Sequence, residues 1–318
     1  MHRFLRHFNL FFLVFNSFIF ANTLEIKDFF GTHIVKLPIK KLAIIGTYLE
    51  LPAMFNIWDK VIALDKYSFD IDINQCFFKL NENKIYKMDS NTLGNIEKLL
   101  QIKPDLIISS IRNAQNIIFG NKIGLNFLSF QTHDIDAVKK QIFIFASLFD
   151  KIPKAKIIIQ EMDSIFQLIE KQTSKITQKK KAIFVFNKPN VVSGKISVVS
   201  DMLNHAFVDN IGSRYITHDR SEIPIEKIVK ENPDIIFIWW LSHYDTESIL
   251  KIPALQSVKA IKTKQVYKMP SFDGTGPRVA LMSLFVAMNA YPQNFKNINI
   301  QKTIRDFYLR IYGYYICN

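Results

Sequence analysis

A short aromatic run, W-W-L-S-H-Y at residues 239–244, holds the residue types best suited to ligand chemistry. It places two indoles, an imidazole and a phenol within one loop. Trp and Tyr offer flat surfaces to an aromatic or macrocyclic ligand. Neutral imidazole suits nickel, cobalt, iron or copper, and phenolate suits ferric iron. Trp240, His243 and Tyr244 are therefore predicted to contact a ligand. His243 and Tyr244 bind metal directly, act only through a chelator, or serve packing alone.

A loop with a terminal arginine indicates an anionic ligand. Residues 271–278 read S-F-D-G-T-G-P-R, and a helix is predicted to begin at Pro277 after two glycines that free the backbone. Exposed amides at a helix start, together with the guanidinium of Arg278, suit an anion. The alternative is that Arg278 pairs with Asp273 and only holds the loop.

Two residues from other loops are predicted to complete this site. Arg112 follows a predicted strand in the first half of the chain, from which it can close a clamp with Arg278. Tyr48 follows an earlier strand and covers the ligand, or else is a surface tyrosine.

A duplicated motif predicts the elements that position these loops. Residues 96–109 (I-E-K-L-L-Q-I-K-P-D-L-I-I-S) and 225–238 (I-E-K-I-V-K-E-N-P-D-I-I-F-I) each join a short amphipathic helix to a buried strand through Pro-Asp. Two such units predict two α/β lobes with a ligand cleft between them, since ligands bind beyond the carboxyl ends of parallel strands. The identical positions are Ile96/Ile225, Glu97/Glu226, Lys98/Lys227, Pro104/Pro233, Asp105/Asp234 and Ile107/Ile236.

The segment between the two units is predicted to be helical. Residues 135–175 have no glycine and carry apolar residues at helical spacing, interrupted near Pro153. This pattern predicts a helix, a break and a long second helix. The predicted domains are an N-terminal lobe (22–142), a linking helix (143–178) and a C-terminal lobe (179–318).

The N-terminus has the organisation of a secretory signal peptide. Arg3 and Arg6 precede the apolar run 8–20, and Ala21 follows, so residues 1–21 are predicted to be removed on export. Cys76 and Cys317 form one disulfide or remain two thiols. The formal net charge of +13 suits an anionic ligand or membrane surface, whereas lysines scattered along an exported chain argue against nucleic acid.

Taken together, the two Pro-Asp units, the long helix between them and the later G-P-R-V-A-L-M-S-L segment resemble class III periplasmic solute-binding proteins of ABC importers. The resemblance covers nearly all of residues 25–300. It implies two α/β lobes joined by a rigid helix, a periplasmic monomer, no resident cofactor and a bound metal chelate as cargo. It also implies a partner, the ABC permease in the inner membrane.

The same resemblance assigns a role to Glu97 and Glu226, which begin the two units. In this family one glutamate from each lobe docks onto arginines of the permease. The alternative is that each carboxylate only favours the dipole of its own helix.

No enzyme signature is found. The sequence lacks GxxxxGK[ST], HExxH, GxSxG and CxxC. An iron-siderophore or haem is the first expectation for the cargo, because two tyrosines and two arginines suit an anionic chelate of a hard metal. A nickel or cobalt complex, including cobalamin, suits the tryptophans and His243, and molybdate or tungstate requires Arg278 and amides alone. An exported two-lobed cofactor enzyme and an adhesive surface protein are further alternatives.

Overall fold

The computed structural model describes residues 22–46, 48–75, 85–89, 95–111 and 114–315. The predicted signal peptide, Arg112, Cys76 and Cys317 lie outside these ranges.

The first half of the chain forms a parallel sheet covered on both faces. Within the described residues its strands lie in the order β5-β4-β3-β6-β7. All four residues of β3 are buried, as expected of a parallel strand between two layers. The strands are β3 (Leu42–Ile45), β4 (Val61–Asp65), β5 (Tyr86–Met88), β6 (Leu106–Ser109) and β7 (Phe127–Leu128), and the helices are α1 (Leu51–Phe55), α2 (Ile96–Ile102) and α3 (Ala114–Lys122).

The hairpin that opens the described chain, β1 (Thr23–Lys27) and β2 (Thr32–Lys36), is antiparallel. One carboxylate ties its turn to the edge of the sheet. Asp28 accepts hydrogen bonds from Ser129 N at 2.8 Å and from its own turn, including Phe30 N at 2.7 Å.

Two helices connect the halves: α4 (Ile135–Leu148) and α5 (Ile152–Thr173). They confirm the predicted helix, break and long helix. The break includes Asp150 with φ of +54°, and α5 begins with a proline in its first turn. The predicted linker 143–178 therefore starts inside α4, and its use as a domain boundary stays a prediction.

The second half forms a mixed sheet. Within the described residues the order is β11-β9-β8-β12-β13, with β10 also paired to β8; β8, β10, β12 and β13 are parallel. The strands are β8 (Lys180–Val185), β9 (Val191–Ser193), β10 (Val208–Asn210), β11 (Arg220–Glu222), β12 (Ile235–Ile238) and β13 (Val266–Lys268). The helices are α6 (Val198–His205), α7 (Ile225–Glu231), α8 (Thr246–Leu250), α9 (Lys259–Lys262), α10 (Val279–Ala290), α11 (Pro292–Phe295) and α12 (Ile300–Tyr312).

The Pro-Asp motif has the same structural role in both halves. Asp105 accepts hydrogen bonds from Lys40 N and Lys41 N at 2.8 Å, and its own N–H donates to Lys41 O. Asp234 repeats this contact with Lys181, whose N–H donates to its carboxylate at 2.8 Å. Each aspartate thus joins the start of its strand to the start of the neighbouring parallel strand. The two copies of the motif therefore make the same contact in the two lobes.

One apolar core runs through both lobes. The inner faces of the two sheets contribute Ile44 and Ile108 on one side and Phe184 and Phe237 on the other. Helices α4, α5, α10 and α12 fill the space between them, and nine of the twelve residues of α10 are buried. The outer faces have separate cores beneath α2 and α3 and beneath α7 to α9. The two-lobed α/β fold is confirmed.

Within the described ranges, no helix has both the length and the apolar character that a membrane span requires.

Candidate functional site

The carboxyl edges of the two sheets meet at a direct contact between the lobes. Tyr48 N donates to Thr275 Oγ1 at 3.0 Å, and Leu49 N donates to Asp273 Oδ2 at 2.6 Å. Tyr48 and Leu49 follow β3, whereas Asp273 and Thr275 follow β13. Loops that follow parallel strands lie at the carboxyl edge of their sheet, where α/β proteins bind ligands. By this rule, a ligand is expected to bind beside this contact.

Arg278 is not a cleft residue, which contradicts its predicted role in ligand binding. Its side chain has 0% exposure. Nε donates to Glu50 Oε1 at 2.7 Å, while Nη1 donates to Asp72 Oδ1 at 2.5 Å and to Tyr308 OH at 2.8 Å. The predicted alternative, a pair with Asp273, is not formed either, because Asp273 accepts from backbone and hydroxyl groups of the loops. The guanidinium instead joins the two lobes.

The helix start at this loop also differs from the prediction. Helix α10 begins at Val279 rather than at Pro277. Glu50 occupies the space that an anion would need: its Oε1 accepts from Asp273 N at 3.0 Å. A Cβ on Gly276 would lie 2.7 Å from Glu50 Oε2, so only glycine allows this approach. A protein carboxylate, rather than a bound anion, fills the predicted anion site.

Glu50 is buried and accepts hydrogen bonds from three donors: Arg278 Nε, Asp273 N and Tyr312 OH. It has 0% exposure and precedes α1, and its Oε2 accepts from Tyr312 OH at 2.8 Å. Burial raises the pKa of Glu50, and the Arg278 guanidinium opposes that shift. Burial likewise raises the pKa of Asp273. We call Glu50, Asp72, Asp273, Arg278 and Tyr308 the interlobe cluster.

Tyr48 is a core residue, which contradicts its predicted position over the ligand. It is 3% exposed, and its ring packs edge-on against Phe145 with centroids 4.9 Å apart. Its hydroxyl donates to Phe130 O at 3.3 Å. A φ of +54° turns the chain at this position so that the side chain points inward.

Buried tyrosines predict a loss of stability at alkaline pH. Burial raises the pKa of Tyr48, Tyr308 and Tyr312 above the model-peptide value of 10.0. The folded state therefore keeps protons that the unfolded chain releases. The contribution of these phenols to the free energy of unfolding is fully present below pH 10. Above pH 10 the free energy of unfolding falls by about 1.4 kcal/mol per pH unit for each tyrosine.

Urea denaturation at pH 9 and pH 11 measures this effect. Tyr48→Phe removes one of these buried phenols and is expected to make the loss of stability between pH 9 and pH 11 smaller by about 1.4 kcal/mol. An equal dependence in Tyr48→Phe and the parent protein would contradict the assignment.

The aromatic run 239–244 is divided between the two faces of the C-terminal sheet. Trp239 and Trp240 are half-buried and pack against the inner core. Tyr244 packs against the outer core. His243 is exposed, and its ring lies 4.5 Å from that of Tyr244 at an interplanar angle of 39°. The predicted ligand contacts of Trp240, His243 and Tyr244 stay predictions.

Arg220, which was not among the residues predicted for the site, lies at the carboxyl edge of the C-terminal sheet. Its guanidinium lies 4.1 Å from the ring centroid of Phe186 and 5.7 Å from that of Trp239, and its Nε donates to Asp219 at 3.1 Å. Phe186 follows β8 and Trp239 follows β12, so the cation lies at the carboxyl edge of the sheet. Arg220 begins β11, an antiparallel edge strand. The ligand-binding residues were predicted in loops that follow parallel strands, so Arg220 was not among them.

Glu97 and Glu226 occupy equivalent, exposed positions. Each is the second residue of its helix, α2 or α7, on the outer face of its lobe. Neither carboxylate makes an ion pair with another residue in the part of the chain that the structure describes. Among the same residues, no group of three or more His, Cys, Asp or Glu side chains is arranged to hold a metal ion.

Comparison with known proteins matches residues 45–272 to the family described as periplasmic binding protein. The crystal structure of Helicobacter pylori CeuE in a Ni-His complex has 37% sequence identity and a TM-score of 0.87, covering 92% of this chain and 96% of that one. The same CeuE protein has been solved with Ni(II) bound, with the same identity and TM-score.

More distant proteins share the fold. The molybdate-binding protein MolA of Haemophilus influenzae is 22% identical over 260 residues, 73% of each chain. A periplasmic solute-binding protein of Veillonella parvula has 20% identity and a TM-score of 0.74, covering 93% of this chain and 95% of that one.

Proposed function

The chain belongs to the periplasmic binding protein family, in class III of the ABC-importer binding proteins, and from this premise we propose that it captures a metal chelate in its interlobe cleft and delivers it to an inner-membrane permease. Members of this family are transport proteins rather than enzymes. The mature chain acts in the periplasm as a monomer, after removal of residues 1–21.

One observation carries this proposal: a cation on an aromatic platform at the carboxyl edge of the C-terminal sheet. The Arg220 guanidinium lies over the rings of Phe186 and Trp239 and makes cation–π contacts with them. A guanidinium binds carboxylates through two parallel hydrogen bonds. His243, exposed in the loop that Trp239 begins, adds an imidazole that accepts a borderline divalent metal. A complex with both a carboxylate and an open metal position matches these two groups.

Within this function, the described residues favour a nickel complex of a small carboxylate-bearing chelator such as histidine. The expectation of an iron-siderophore or haem depended partly on Tyr48 and Arg278, and both are buried. The tryptophans of the aromatic run and His243, which suit a nickel or cobalt complex, follow β12 and are half-buried or exposed. The 37% identity to CeuE, which was solved in a Ni-His complex, supports the same order.

Tryptophan fluorescence of the mature protein tests the cargo. The chain has three tryptophans, and in Trp58→Phe only those of the aromatic run report. We expect saturable quenching of this variant by nickel(II)–L-histidine at micromolar concentrations. The panel also contains a ferric catecholate, haem, cobalamin and molybdate. Saturation by a different member would reject the nickel complex and retain capture, and no saturation by any of them would reject the proposed function.

Arg220→Met is expected to weaken binding of nickel(II)–L-histidine by about tenfold to a hundredfold, the range expected for a charge-assisted hydrogen bond. Methionine keeps apolar contact with Phe186 and Trp239 and removes the charge. Arg305→Met, at an exposed arginine of α12, is the matched control. Equal affinities of the two variants, measured by the fluorescence titration, would place the ligand elsewhere.

A further inference from the structure

One ammonium group holds the loop that carries His243. Lys268, the last residue of β13, donates from Nζ to Tyr244 O at 2.6 Å and also to Ser242 O. These are the carbonyl groups of the residues on either side of His243. Lys268 is the register partner of Ile238, so its side chain reaches the loop from the neighbouring strand.

The backbone at His243 is held by this contact together with a local hydrogen bond, in which Tyr244 N donates to Ser242 Oγ at 3.2 Å. His243 makes no hydrogen bond to another residue in the described part of the chain, and its ring touches that of Tyr244. On the N-terminal side, Ser242 N donates to Trp239 O at 3.0 Å. On the C-terminal side, Asp245 precedes α8 as its N-cap and accepts from Ser248 N at 2.7 Å. Between these anchors, the Lys268 ammonium binds both flanking carbonyls.

The environment of the ammonium fits a structural task. Burial lowers the pKa of Lys268, and the charge of Asp245 opposes that shift. Partial desolvation of an ammonium is unfavourable unless its protons have acceptors. The two loop carbonyls supply these acceptors, so Lys268 would lose these hydrogen bonds if the loop moved away from β13. The contact couples the position of the loop to the fixed end of β13.

We propose that Lys268 is a positioning residue that holds the His243 imidazole in the orientation required to accept the metal of the cargo. This inference rests on the proposed function, and within it Lys268 acts only through His243. A residue that acts through another contributes nothing once the other is removed, so their effects on affinity do not add.

A double-mutant cycle with nickel(II)–L-histidine as the probe tests this coupling. His243→Ala and Lys268→Met are each expected to weaken binding by about tenfold, and the double variant to bind no more weakly than His243→Ala. Lys268→Arg keeps donors for both carbonyls and is expected to retain affinity within about threefold of the parent. Lys251→Met, at a lysine that directly follows α8 and is 78% exposed, is the matched control and should bind as the parent does.

The cycle separates the two levels of the proposal. Unchanged affinity in His243→Ala would remove the metal contact from the proposed function. Weaker binding in His243→Ala together with normal binding in Lys268→Met, or with additive losses, would overturn the positioning role alone.

A measurement without ligand decides the positioning role even if nickel(II)–L-histidine does not bind. Carbon-13 relaxation of the His243 imidazole by NMR is expected to show a more mobile ring in Lys268→Met than in the parent and in Lys268→Arg. Thermal unfolding confirms that each variant is folded. Equal ring mobility in folded Lys268→Met and the parent would overturn the inference.

Discussion

Arg278→Met is expected to destabilise the protein by about 3–5 kcal/mol, because it leaves Glu50 without its cation in a fully buried position. The remaining carboxylate must stay charged in an apolar environment or take up a proton. The same substitution removes the donors to Asp72 and Tyr308 and the stacking of the guanidinium 4.4 Å from the Phe272 ring. The lost interactions with Glu50 and Asp72 are ones that join the two lobes.

Urea denaturation at neutral pH measures this loss, with Arg305→Met as the control. Arg305 is exposed and lies 3.9 Å from Asp306, a separation at which an ion pair contributes about 0–1 kcal/mol. The double variant Glu50→Gln/Arg278→Met is expected to recover part of the stability, since it removes the unpaired charge. A loss below about 1 kcal/mol in Arg278→Met would mean that the cluster does not stabilise the fold.

The double variant Glu97→Ala/Glu226→Ala is expected to lower uptake of the cargo into cells by about thirtyfold or more, the effect of removing a charged interface pair at 2 kcal/mol or above. Both carboxylates are exposed and sit at equivalent positions of the two lobes. Two equivalent carboxylates can engage two equivalent basic sites on a permease. Either single variant is expected to show a smaller loss.

Two controls separate docking from capture and from surface charge. The fluorescence titration should give the same affinity for the double variant and the parent, since both positions lie on the outer faces of the lobes. Glu247→Ala, at a glutamate that is 71% exposed on α8, should transport normally. Intact transport by Glu97→Ala/Glu226→Ala would show that the permease binds another surface.

The secondary structure and the two-lobed plan could be predicted because their causes lie within short stretches of sequence. Apolar spacing predicts α5, and β-branched runs predict β6 and β12. The repeated Pro-Asp ends each helix and links two strands through its carboxylate. These are local properties, so a single sequence displays them.

The roles of Arg278, Tyr48 and Arg220 were decided only by the tertiary structure. The partner of Arg278 is Glu50, 228 residues earlier in the chain, and without that partner a Gly-rich loop ending in arginine has the composition of an anion site. Tyr48 points into the core, where its own backbone is left-handed, and Arg220 reaches the carboxyl edge of the C-terminal sheet from an antiparallel edge strand. A residue type states what chemistry a side chain can perform. Whether that chemistry meets a ligand or another part of the protein depends on which distant residues the fold brings against it.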